Sequence, residues 1–421
     1  MNMPVSLSPI SDQPLFQLLN TEAKVFLTER AQALRLSVQD CRQVCEIALD
    51  FQMWGTESIQ DAWPEQKNQT TPTKAGKQQF MGLLRSSWEE HRNSDNQYPP
   101  NSNTAKISMA SKPSAIEKDS LGLGRCPVAS PRTLCCNLQT LDAVENCGYG
   151  CSYCSIQSFF DGKQIRFDKG FADKLKNLQL DADKIYHIGT GQSSDSLMWG
   201  NSHGVLDAVI DFARDNPNVI LELKTKSANV SHLLRADATK NIICTWSLNT
   251  PTLIQYEEHG TASLDKRLNA ARKMADAGFL VGFHFHPIVH YDHWQQDYQS
   301  VVEQLGSSFK PEEVALVSMG TLTYIKSVMR EIRKRAIPTQ ILKMPMVDAS
   351  GKQSYPDEIK LSLFSHVYNC FPKSWKADVF YYLCMESQRL WKPVFGYEYA
   401  SNIEFEATMK KAYLDKINLR V

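Results

Sequence analysis

The sequence predicts an α/β fold: a partial (β/α)6 TIM-type barrel with a helical N-terminal region and an α+β C-terminal extension. From about residue 125, short apolar runs alternate six times with helical patterns, which indicates parallel strands joined by right-handed crossovers. A cysteine-rich loop directly follows the first of these strands. Sites in parallel barrels form at the carboxyl ends of the strands, so this loop lies where a barrel places its chemistry.

Changes in composition divide the 421 residues into three regions. Residues 1–124 are predicted to form a helical N-terminal region that ends in a polar linker over 93–124, rich in Asn, Ser, Pro and Lys. Residues 125–336 are predicted to form the barrel. Residues 337–421 are predicted to form the α+β extension.

The individual elements follow from the period of their apolar residues. Buried parallel strands appear as short continuous apolar runs, and helices show apolar residues three and four apart. The predicted barrel strands are Leu138–Val144, Lys184–Gly189, Val219–Lys224, Ile242–Leu248, Leu280–His286 and Val314–Met319. The predicted helices between and after them are 168–180, 203–215, 228–236, 263–277, 294–306 and 321–335. The extension is predicted to contain a helix at 356–370, a strand at 377–384 and a helix at 403–417.

Charge and hydropathy limit the possible partners. Lys+Arg and Asp+Glu both number 46, so the formal net charge is zero and a global basic field for nucleic acid is absent. No apolar run approaches the roughly 18 residues that cross a bilayer. The first residues lack the basic and apolar regions of an export signal. We therefore expect a cytoplasmic protein that does not bind membranes.

Cys147, Cys151 and Cys154 form a C-x3-C-x2-C triplet, the most informative feature of the chain. Three thiolates can hold three irons of a [4Fe–4S] cluster and leave the fourth iron open. If S-adenosylmethionine binds that iron, one electron can cleave it to a 5′-deoxyadenosyl radical. Radical-SAM enzymes use this spacing, so we predict both cofactors, with these cysteines as catalytic metal ligands and a flavodoxin- or ferredoxin-like reductant.

A structural zinc site is the alternative interpretation of the triplet. Structural zinc takes four ligands, commonly from two C-x2-C pairs. Only one such pair is present, Cys151 and Cys154, although Cys135 or Cys136 could complete a four-cysteine site. Disulfides are not expected, because the first residues do not resemble a signal peptide and the eleven cysteines are unevenly placed.

Polar residues at the ends of the next strands indicate ligand binding. The second strand runs into a loop in which Gly189, Gly191 and Ser194 could contact the ammonium and carboxylate of an amino-acid-like ligand. On the fourth strand, Ser247 and Asn249 are two residues apart, so we expect them on one face, where they could hydrogen-bond a small ligand.

The third and fifth strands carry ionisable residues. Glu222, Lys224 and Lys226 alternate onto one face, where Lys226 could meet a carboxylate in the barrel lumen; a solvated strand end is the alternative. His284 and His286 share one face and, with His290 and His293, suggest a metal site. We do not predict one, because no carboxylate completes a plausible ligand set.

With these motifs together, the chain resembles the spore photoproduct lyase family of radical-SAM proteins. The resemblance rests on ENCGYGCSYCSIQ, IGTGQSSDS, LELKTKSANVSHLL and EEHGTASLDKRLNAARKMADAGFLVGFHFHPI, within residues 130–305. It implies SAM contacts at Tyr153, Ser194, Lys226 and Ser247. It also implies a DNA-repair lyase that abstracts hydrogen from a thymine dimer, which must leave the base stack to reach the site.

Two positions depart from the family pattern. The cysteine that returns a hydrogen atom in the repair enzymes falls at Gln192, and the tyrosine that helps to relay it falls at Ser155. An amide does not readily donate a hydrogen atom. Either Cys244, Cys135 or Cys136 donates, or 5′-deoxyadenosine does, or the substrate is not a thymine dimer.

Three functions therefore compete. A lyase acting on a DNA photolesion is favoured, and it predicts a basic surface around the barrel mouth. Candidates for that surface are Lys74, Lys77, Arg85 and Arg92 among Trp88 and Tyr98, and Lys410, Lys411 and Lys416, each of which could be ordinary solvated surface.

A radical-SAM enzyme acting on a peptide, RNA or small molecule fits the zero net charge and the missing relay residues better. A non-catalytic iron–sulfur or zinc protein leaves Gly189, Lys226 and Ser247 unexplained. The oligomeric state is left open.

Overall fold

The computed structural model describes residues 9–64, 73–98, 113–126, 132–160, 164–349 and 351–420. Much of the predicted polar linker, residues 99–112, lies outside the described residues, as does the beginning of the chain. In the described part, no helix is both long enough and apolar enough to span a membrane.

From β6 to β10 the strands of the described residues alternate with α-helices, except that no α-helix separates β7 from β8. In chain order the strands are β1 (Ser114–Ile116), β2 (Leu123–Arg125), β3 (Gln139–Leu141), β4 (Val144–Glu145), β5 (Arg166–Asp168), β6 (Tyr186–Thr190), β7 (Val219–Thr225), β8 (Ile242–Leu248), β9 (Leu280–Ile288), β10 (Val314–Thr321), β11 (Thr323–Tyr324), β12 (Val347–Ala349), β13 (Lys352–Ser354) and β14 (Phe380–Leu383). The α-helices are α1 (Thr21–Ala33), α2 (Val38–Trp54), α3 (Lys74–Asn93), α4 (Phe171–Lys176), α5 (Val205–Asp215), α6 (Pro251–Glu257), α7 (Leu264–Asp276), α8 (Trp294–Ser308), α9 (Lys326–Arg335), α10 (Asp357–Cys370), α11 (Lys373–Asp378), α12 (Trp391–Phe395) and α13 (Asn402–Asn418).

The largest sheet has eight strands in the order β14-β10-β9-β8-β7-β6-β3-β2. Every neighbouring pair from β3 to β14 is parallel, and only β2 runs antiparallel to its neighbour. This arrangement confirms the predicted α/β fold and its partial barrel. One strand of the predicted C-terminal extension, β14, joins the same sheet beside β10, so the extension completes the barrel with a further parallel strand.

Two predicted elements are wrong. Residues 228–236 form turns and not a helix. The Ser227 hydroxyl accepts a hydrogen bond from the Asn229 N–H at 3.0 Å, a local bond that competes with helix formation. The predicted strand Leu138–Val144 divides into β3 and β4, because β4 leaves the main sheet to pair with β5.

The pairing register separates the main sheet into two faces. The inner face, here called the barrel interior, carries hydrogen-bonded polar side chains from adjacent strands, Glu222, Thr245, His284 and Ser318. The outer face is apolar: Phe285 contacts the rings of Tyr298 in α8 and Phe371 after α10. The C-terminal helix α13 packs on the inner side, where the Tyr413 ring lies 5.5 Å from that of His187.

The chain forms two compact units. Unit 1 consists of Met1–Thr104, Ser152–Ser158 and Thr323–Tyr355, and unit 2 of Ala105–Cys151, Phe159–Leu322 and Pro356–Val421. This division differs from the predicted one, since residues 323–355 group with the N-terminal helices and residues 356–421 with the barrel.

Unit 1 is organised around one buried carboxylate. Asp50 of α2 accepts hydrogen bonds from Arg333 of α9 at 2.7 and 2.8 Å and from the Trp88 indole of α3 at 3.1 Å. A buried charge is tolerated only when it is paired and hydrogen-bonded, so these contacts hold the three helices in one arrangement.

Candidate active site

The loop after β6 requires glycine at its first position. Gly191 has a φ of +81°, and a Cβ built on it would lie 2.4 Å from the Lys224 carbonyl oxygen and 2.6 Å from the Ser196 hydroxyl. An L side chain would be strained by the left-handed backbone and would also clash. The fold itself therefore accounts for Gly191, which was predicted as a ligand contact.

Asp195 joins this loop to the end of β7. Its carboxylate accepts four hydrogen bonds, from Lys226 N at 2.6 Å, Thr225 Oγ1 at 2.7 Å, Met198 N at 2.9 Å and Leu197 N at 3.0 Å. Burial raises the pKa of Asp195, and these donors partly oppose that effect. Sequence reasoning gave Asp195 no role, although it directly follows the predicted Ser194.

Three predicted SAM contacts lie at the carboxyl ends of adjacent parallel strands. Ser194 follows β6, Lys226 follows β7, and Ser247 is the penultimate residue of β8. The Ser194 hydroxyl oxygen is buried and makes no hydrogen bond with any described residue. Buried polar atoms are nearly always hydrogen-bonded, so this oxygen is suited to a ligand atom.

The cysteine loop is anchored at the same strand ends. A Cβ on Gly148 would lie 2.6 Å from Met198 Cε and 2.9 Å from the Trp199 ring, so this glycine permits close packing on the loop after β6. Gly150 N–H donates to His259 O at 2.8 Å. Burial raises the pKa of the Tyr149 hydroxyl, and the neighbouring Ser227 partly opposes that effect.

The predicted cluster ligands divide between the two units. Cys147, half-buried, and Cys151, buried, belong to unit 2. Cys154, half-buried, and the buried Tyr153 belong to unit 1, where Gln157 Nε2 donates to Cys154 O at 2.8 Å.

Within the described parts of the chain, no three His, Cys, Asp or Glu side chains are grouped to hold one metal ion. This finding bears on single-ion sites such as a zinc knuckle. The cysteines of an iron–sulfur cluster bind different irons and therefore lie farther apart than the ligands of one ion.

A buried arginine supports the loop that contacts Gly150. Arg267 of α7 is fully buried and pairs with the equally buried Glu258. It also donates to Ala262 O and to Ser247 O, both at 2.8 Å. Ala262 N–H in turn donates to Lys226 O at 3.1 Å. Sequence reasoning missed this pair, although both residues lie in the most family-like stretch.

A carboxylate contacts one histidine of the fifth strand. Glu222 accepts a hydrogen bond from His284 Nε2 at 2.8 Å and another from His187 Nε2 of β6 at 2.9 Å. The Ser318 hydroxyl lies 2.6 Å from His284 Nδ1 and 3.0 Å from His286 Nε2. Glu222, His284 and His286 face the interior, as the alternation predicted.

The protonation of this network follows from its contacts. Burial opposes the charge of Glu222, yet the two imidazoles outweigh it and hold the pKa of that carboxyl well below its usual range. Burial and the Lys224 charge lower the pKa of His284 to about 4. His284 is therefore neutral near pH 7, donates its one N–H to Glu222, and accepts the Ser318 hydroxyl proton.

Two other predicted residues face away from the interior. Asn249 lies beyond the end of β8, where its side chain donates to Pro287 O at 3.2 Å and accepts from the Tyr298 hydroxyl at 2.9 Å. The predicted shared face with Ser247 is wrong, because alternation stops where the strand ends. Cys244 is fully buried and alternates with the inward Thr245, so it lies on the outer face.

Gln192 and Gly189 lie together at the mouth of the interior. Gly189 is on the inner face of β6, and a Cβ on it would lie 3.1 Å from Leu138 Cδ2 and 3.4 Å from Gln192 Nε2. The amide of Gln192 therefore lies over the interior. Ser155 is in unit 1 and is half-buried.

Most of the basic residues proposed to contact nucleic acid form hydrogen bonds, ion pairs or stacking contacts within the protein. Lys77 donates to Arg35 O at 3.0 Å, and Arg85 donates to Gln43 at 3.1 Å. Arg92 stacks on Trp88, with 4.6 Å from its guanidinium carbon to the ring centroid. In the tail, the three lysines bond to neighbouring groups: Lys410 to Glu406, Lys411 to Asp415, and Lys416 to Val314 O. These contacts favour ordinary surface over a basic patch.

A family model described as spore photoproduct lyase matches residues 141–355, just over half of the chain. The spore photoproduct lyase of Geobacillus sp. (strain Y412MC61) is 28% identical over 205 residues, which cover 47% of this chain and 60% of that protein. The spore photoproduct lyase of Bacillus subtilis (strain 168) is 36% identical over 176 residues, which cover 41% and 51%. The match therefore spans less than two thirds of each relative's length.

Solved structures support the fold. A spore photoproduct lyase complexed with dinucleoside spore photoproduct has a TM-score of 0.54 at 21% identity, covering 64% of this chain and 81% of that chain. A variant of spore photoproduct lyase with bound AdoMet and dinucleoside spore photoproduct has a TM-score of 0.54 at 19% identity, covering 74% and 95%. At these identities the likeness establishes a shared architecture.

Proposed function

Because the chain belongs to the spore photoproduct lyase family, we propose that it is a radical-SAM lyase that splits a pyrimidine photolesion in DNA. The observation that carries the proposal is the position of the C-x3-C-x2-C loop. Its Gly148 and Gly150 pack on the loops that also position Ser194 and Lys226. These loops would hold an amino-acid-bearing cofactor beside a cluster on the cysteines.

The residues present fit both cofactors. Cys147, Cys151 and Cys154 would hold the cluster through three thiolates, the donor set that leaves one iron for S-adenosylmethionine. Bound together, the two groups would supply a 5′-deoxyadenosyl radical. The buried Ser194 hydroxyl, which no described residue satisfies, would hydrogen-bond the amino-acid part of the cofactor, and Lys226 would neutralise its carboxylate.

The protein's own groups would prepare this site before the cofactor binds. Asp195 holds the backbone of Lys226 from one side, and Ala262 N–H holds it from the other. Arg267 holds the carbonyl of Ser247 and the loop that contacts Gly150. Binding a cofactor to such a preorganised site costs little conformational entropy.

The substrate is proposed from the family. A structural neighbour was solved with dinucleoside spore photoproduct, and this chain would take a lesion of that class into the interior over which Gln192 lies. The reaction would need an external one-electron reductant, for which a flavodoxin- or ferredoxin-like protein of the cytoplasm is the expected type. Any DNA contact would use few of the basic residues named above, because most of them bond within the protein.

Anaerobic reconstitution tests the cofactors. Wild-type protein should be brown, bind about four irons per chain, and release 5′-deoxyadenosine when given dithionite and SAM. Cys151→Ala should lose both properties and keep the circular dichroism spectrum of the wild type. Cys370→Ala, on α10, is the matched thiol control and should behave as wild type. A colourless wild-type protein that binds zinc would exclude a radical-SAM enzyme and leave a structural metal protein.

The substrate needs a separate test. Incubation with a dinucleoside spore photoproduct should yield repaired dinucleoside, and deuterium placed on the lesion should appear in 5′-deoxyadenosine. A second candidate, an enzyme acting on a peptide, RNA or small molecule, is favoured by Gln192 and Ser155 in place of the expected relay residues. SAM cleavage without any reaction of the photoproduct would support that candidate.

A further inference from the structure

Lys224 of β7 carries a positive charge into the barrel interior. Glu222, two residues earlier in the same strand, bonds to interior side chains, and residues two apart within a strand share a face. Lys224 is half-buried, and its ammonium makes no hydrogen bond or ion pair with any residue that the structure describes. A cation partly withdrawn from water needs hydrogen-bond acceptors, so this ammonium is suited to a ligand.

Strand geometry places His286 of β9 in the same layer as Lys224. Glu222 of β7 accepts from His284 Nε2 of β9 at 2.8 Å, so these two side chains meet across the interior. The two strands run in the same direction, and each rises about 6.6 Å over two residues. Lys224 and His286 each lie two residues farther along, before their strands end. They therefore form the next layer towards the carboxyl ends of the strands.

The contacts of His286 confirm that its ring faces the interior. Its Nε2 atom lies 3.0 Å from the Ser318 hydroxyl oxygen, and its ring centroid lies 5.3 Å from that of His284. His286 is half-buried like Lys224, whereas Glu222 and His284 in the layer below are almost fully buried. The upper layer is therefore the one that a ligand can reach.

Hydrogen bonds decide which nitrogen of His286 carries the proton. The Glu222 carboxylate only accepts, so His284 donates to it through Nε2, and the Nδ1 atom of the neutral His284 accepts from the Ser318 hydroxyl at 2.6 Å. Ser318 has one hydrogen to donate, so its oxygen accepts from His286 Nε2. Burial lowers the pKa of His286, which is therefore neutral near pH 7. Its Nδ1 atom is left as an acceptor, and it bonds to no described residue.

The upper layer thus offers one donor, on Lys224, and one acceptor, on His286. The Glu222 carboxylate balances the Lys224 charge and the histidines are neutral, so the ligand does not have to be an anion. The imide edge of thymine presents a carbonyl oxygen beside an N–H, which is the complement of this pair. Cytosine presents a ring nitrogen acceptor in place of the N–H, and its lone pair would oppose that of His286.

We propose that Lys224 and His286 form a base-recognition site for the imide edge of the pyrimidine lesion, which extends the proposed function and rests on it. Lys224 donates to a carbonyl oxygen of the base, and His286 Nδ1 accepts from the imide N–H. Enzymes that act on bases commonly read this edge once the base has left the stack. Ser318 is a positioning residue, because it fixes the tautomer of His286.

Equilibrium binding to the reconstituted enzyme tests the site, with SAM present and reductant omitted so that no turnover occurs. The ligands are a dinucleoside spore photoproduct without phosphate and its analogue methylated at the imide nitrogens. The wild type should bind the analogue at least about tenfold more weakly than the lesion. Lys224→Met and His286→Phe should each weaken binding of the lesion roughly tenfold or more. The matched controls Lys411→Met and His293→Phe change exposed residues and should bind as the wild type does.

Two further readouts separate recognition from folding. His286→Phe should lose most of the preference for the unmethylated lesion, and so should Ser318→Ala, in which the tautomer of His286 is no longer fixed. A merely structural role would weaken binding of both ligands equally. Lys224→Met should unfold at the wild-type temperature or above it, because the substitution removes a charge that has no partner among the described residues.

The possible results distinguish the recognition site from the proposed function. If both variants bind the lesion as the wild type does, or if the wild type binds the methylated analogue equally well, the recognition site is wrong while the lyase proposal stands. A wild-type enzyme that cleaves SAM but neither binds nor converts the lesion would refute the proposed substrate, and the recognition site with it.

Discussion

Asp195 accepts a hydrogen bond from the backbone N–H of Lys226 at 2.6 Å, and this bond joins the loop after β6 to the end of β7. The two residues are not neighbours in sequence, yet the bond sets the direction of the lysine that we assign to the cofactor carboxylate. The polar groups of the candidate site are positioned by other buried polar groups, and the following predictions test these contacts.

Ser194→Ala should separate ligand binding from stability. The hydroxyl is buried without a partner among the described residues, so removing it should leave the free energy of unfolding unchanged or slightly raise it. The dissociation constant for SAM should rise roughly tenfold, about 1.4 kcal/mol. Isothermal titration of the anaerobic protein and urea unfolding measure the two quantities.

The matched control is Ser196→Ala, which removes a hydroxyl that bonds to Thr190 Oγ1 at 2.6 Å. It should lower stability and leave SAM affinity unchanged. If Ser194→Ala destabilises the protein and does not weaken SAM binding, Ser194 is not a ligand contact.

Gly191→Ala should be more damaging than Gly204→Ala. Both glycines have positive φ, so each alanine is strained by about 1 kcal/mol. Only at Gly191 does the added Cβ meet other atoms, and overpacking should add about 1–3 kcal/mol. Thermal unfolding of the two variants gives the difference; equal melting temperatures would mean that the loop moves to accept the methyl group.

Asn249→Ala should act on the fold and not on the cofactor. The substitution removes the bonds to Pro287 O and to the Tyr298 hydroxyl, and should lower the free energy of unfolding by about 1–3 kcal/mol. Tyr298→Phe should lower stability as well, since it removes the other partner. SAM affinity should match the wild type in both variants, and a selective loss of affinity in Asn249→Ala would restore its predicted role.

Arg267→Leu should destabilise unit 2 strongly. Removing one partner of a buried ion pair leaves the other charge uncompensated, here Glu258, at a cost of about 3–5 kcal/mol. Lys411→Ala breaks an exposed pair and should change stability by no more than about 0.5 kcal/mol. The midpoints of urea unfolding of the two variants measure this difference in stability. Equal midpoints would mean that water screens the charge of Arg267.

Acid should destabilise the barrel through its interior network. The pKa of His284 is about 4 in the folded protein and about 6.5 in an unfolded chain. Between these values the unfolded chain binds more protons, so stability falls as pH falls, by up to about 1.4 kcal/mol per pH unit for each proton. Glu222, whose pKa is also lowered, adds a further loss below about pH 4.3.

The contribution of His284 has to be measured by comparison with a variant, because other groups also change stability with pH. Asp195, whose pKa is raised in the fold, stabilises the protein as the pH falls, which is the opposite of the effect of His284. Urea unfolding from pH 7 to pH 4 should have a smaller slope in His284→Gln than in the wild type. The exposed His293 is the control, and His293→Gln should retain the wild-type slope. Identical slopes in all three proteins would mean that His284 is charged in the fold.

The sequence by itself determined most of the strands of the barrel and their order along the chain. Strand β8 begins and ends at the residues predicted, Ile242 and Leu248, because a buried parallel strand is a continuous apolar run. The inward faces of Glu222 and His284 followed from alternation, which is also a local property. The cysteine triplet was visible because its ligands are close in sequence.

Only the tertiary structure decided which distant residues meet. It placed β14 beside β10, joined Asp195 to Lys226, put Glu222 between His187 and His284, and moved Asn249 out of the site to Tyr298. Local periodicity predicts on which face of a strand a residue lies. A contact between distant residues depends on the order of the strands in the sheet and on where each strand ends.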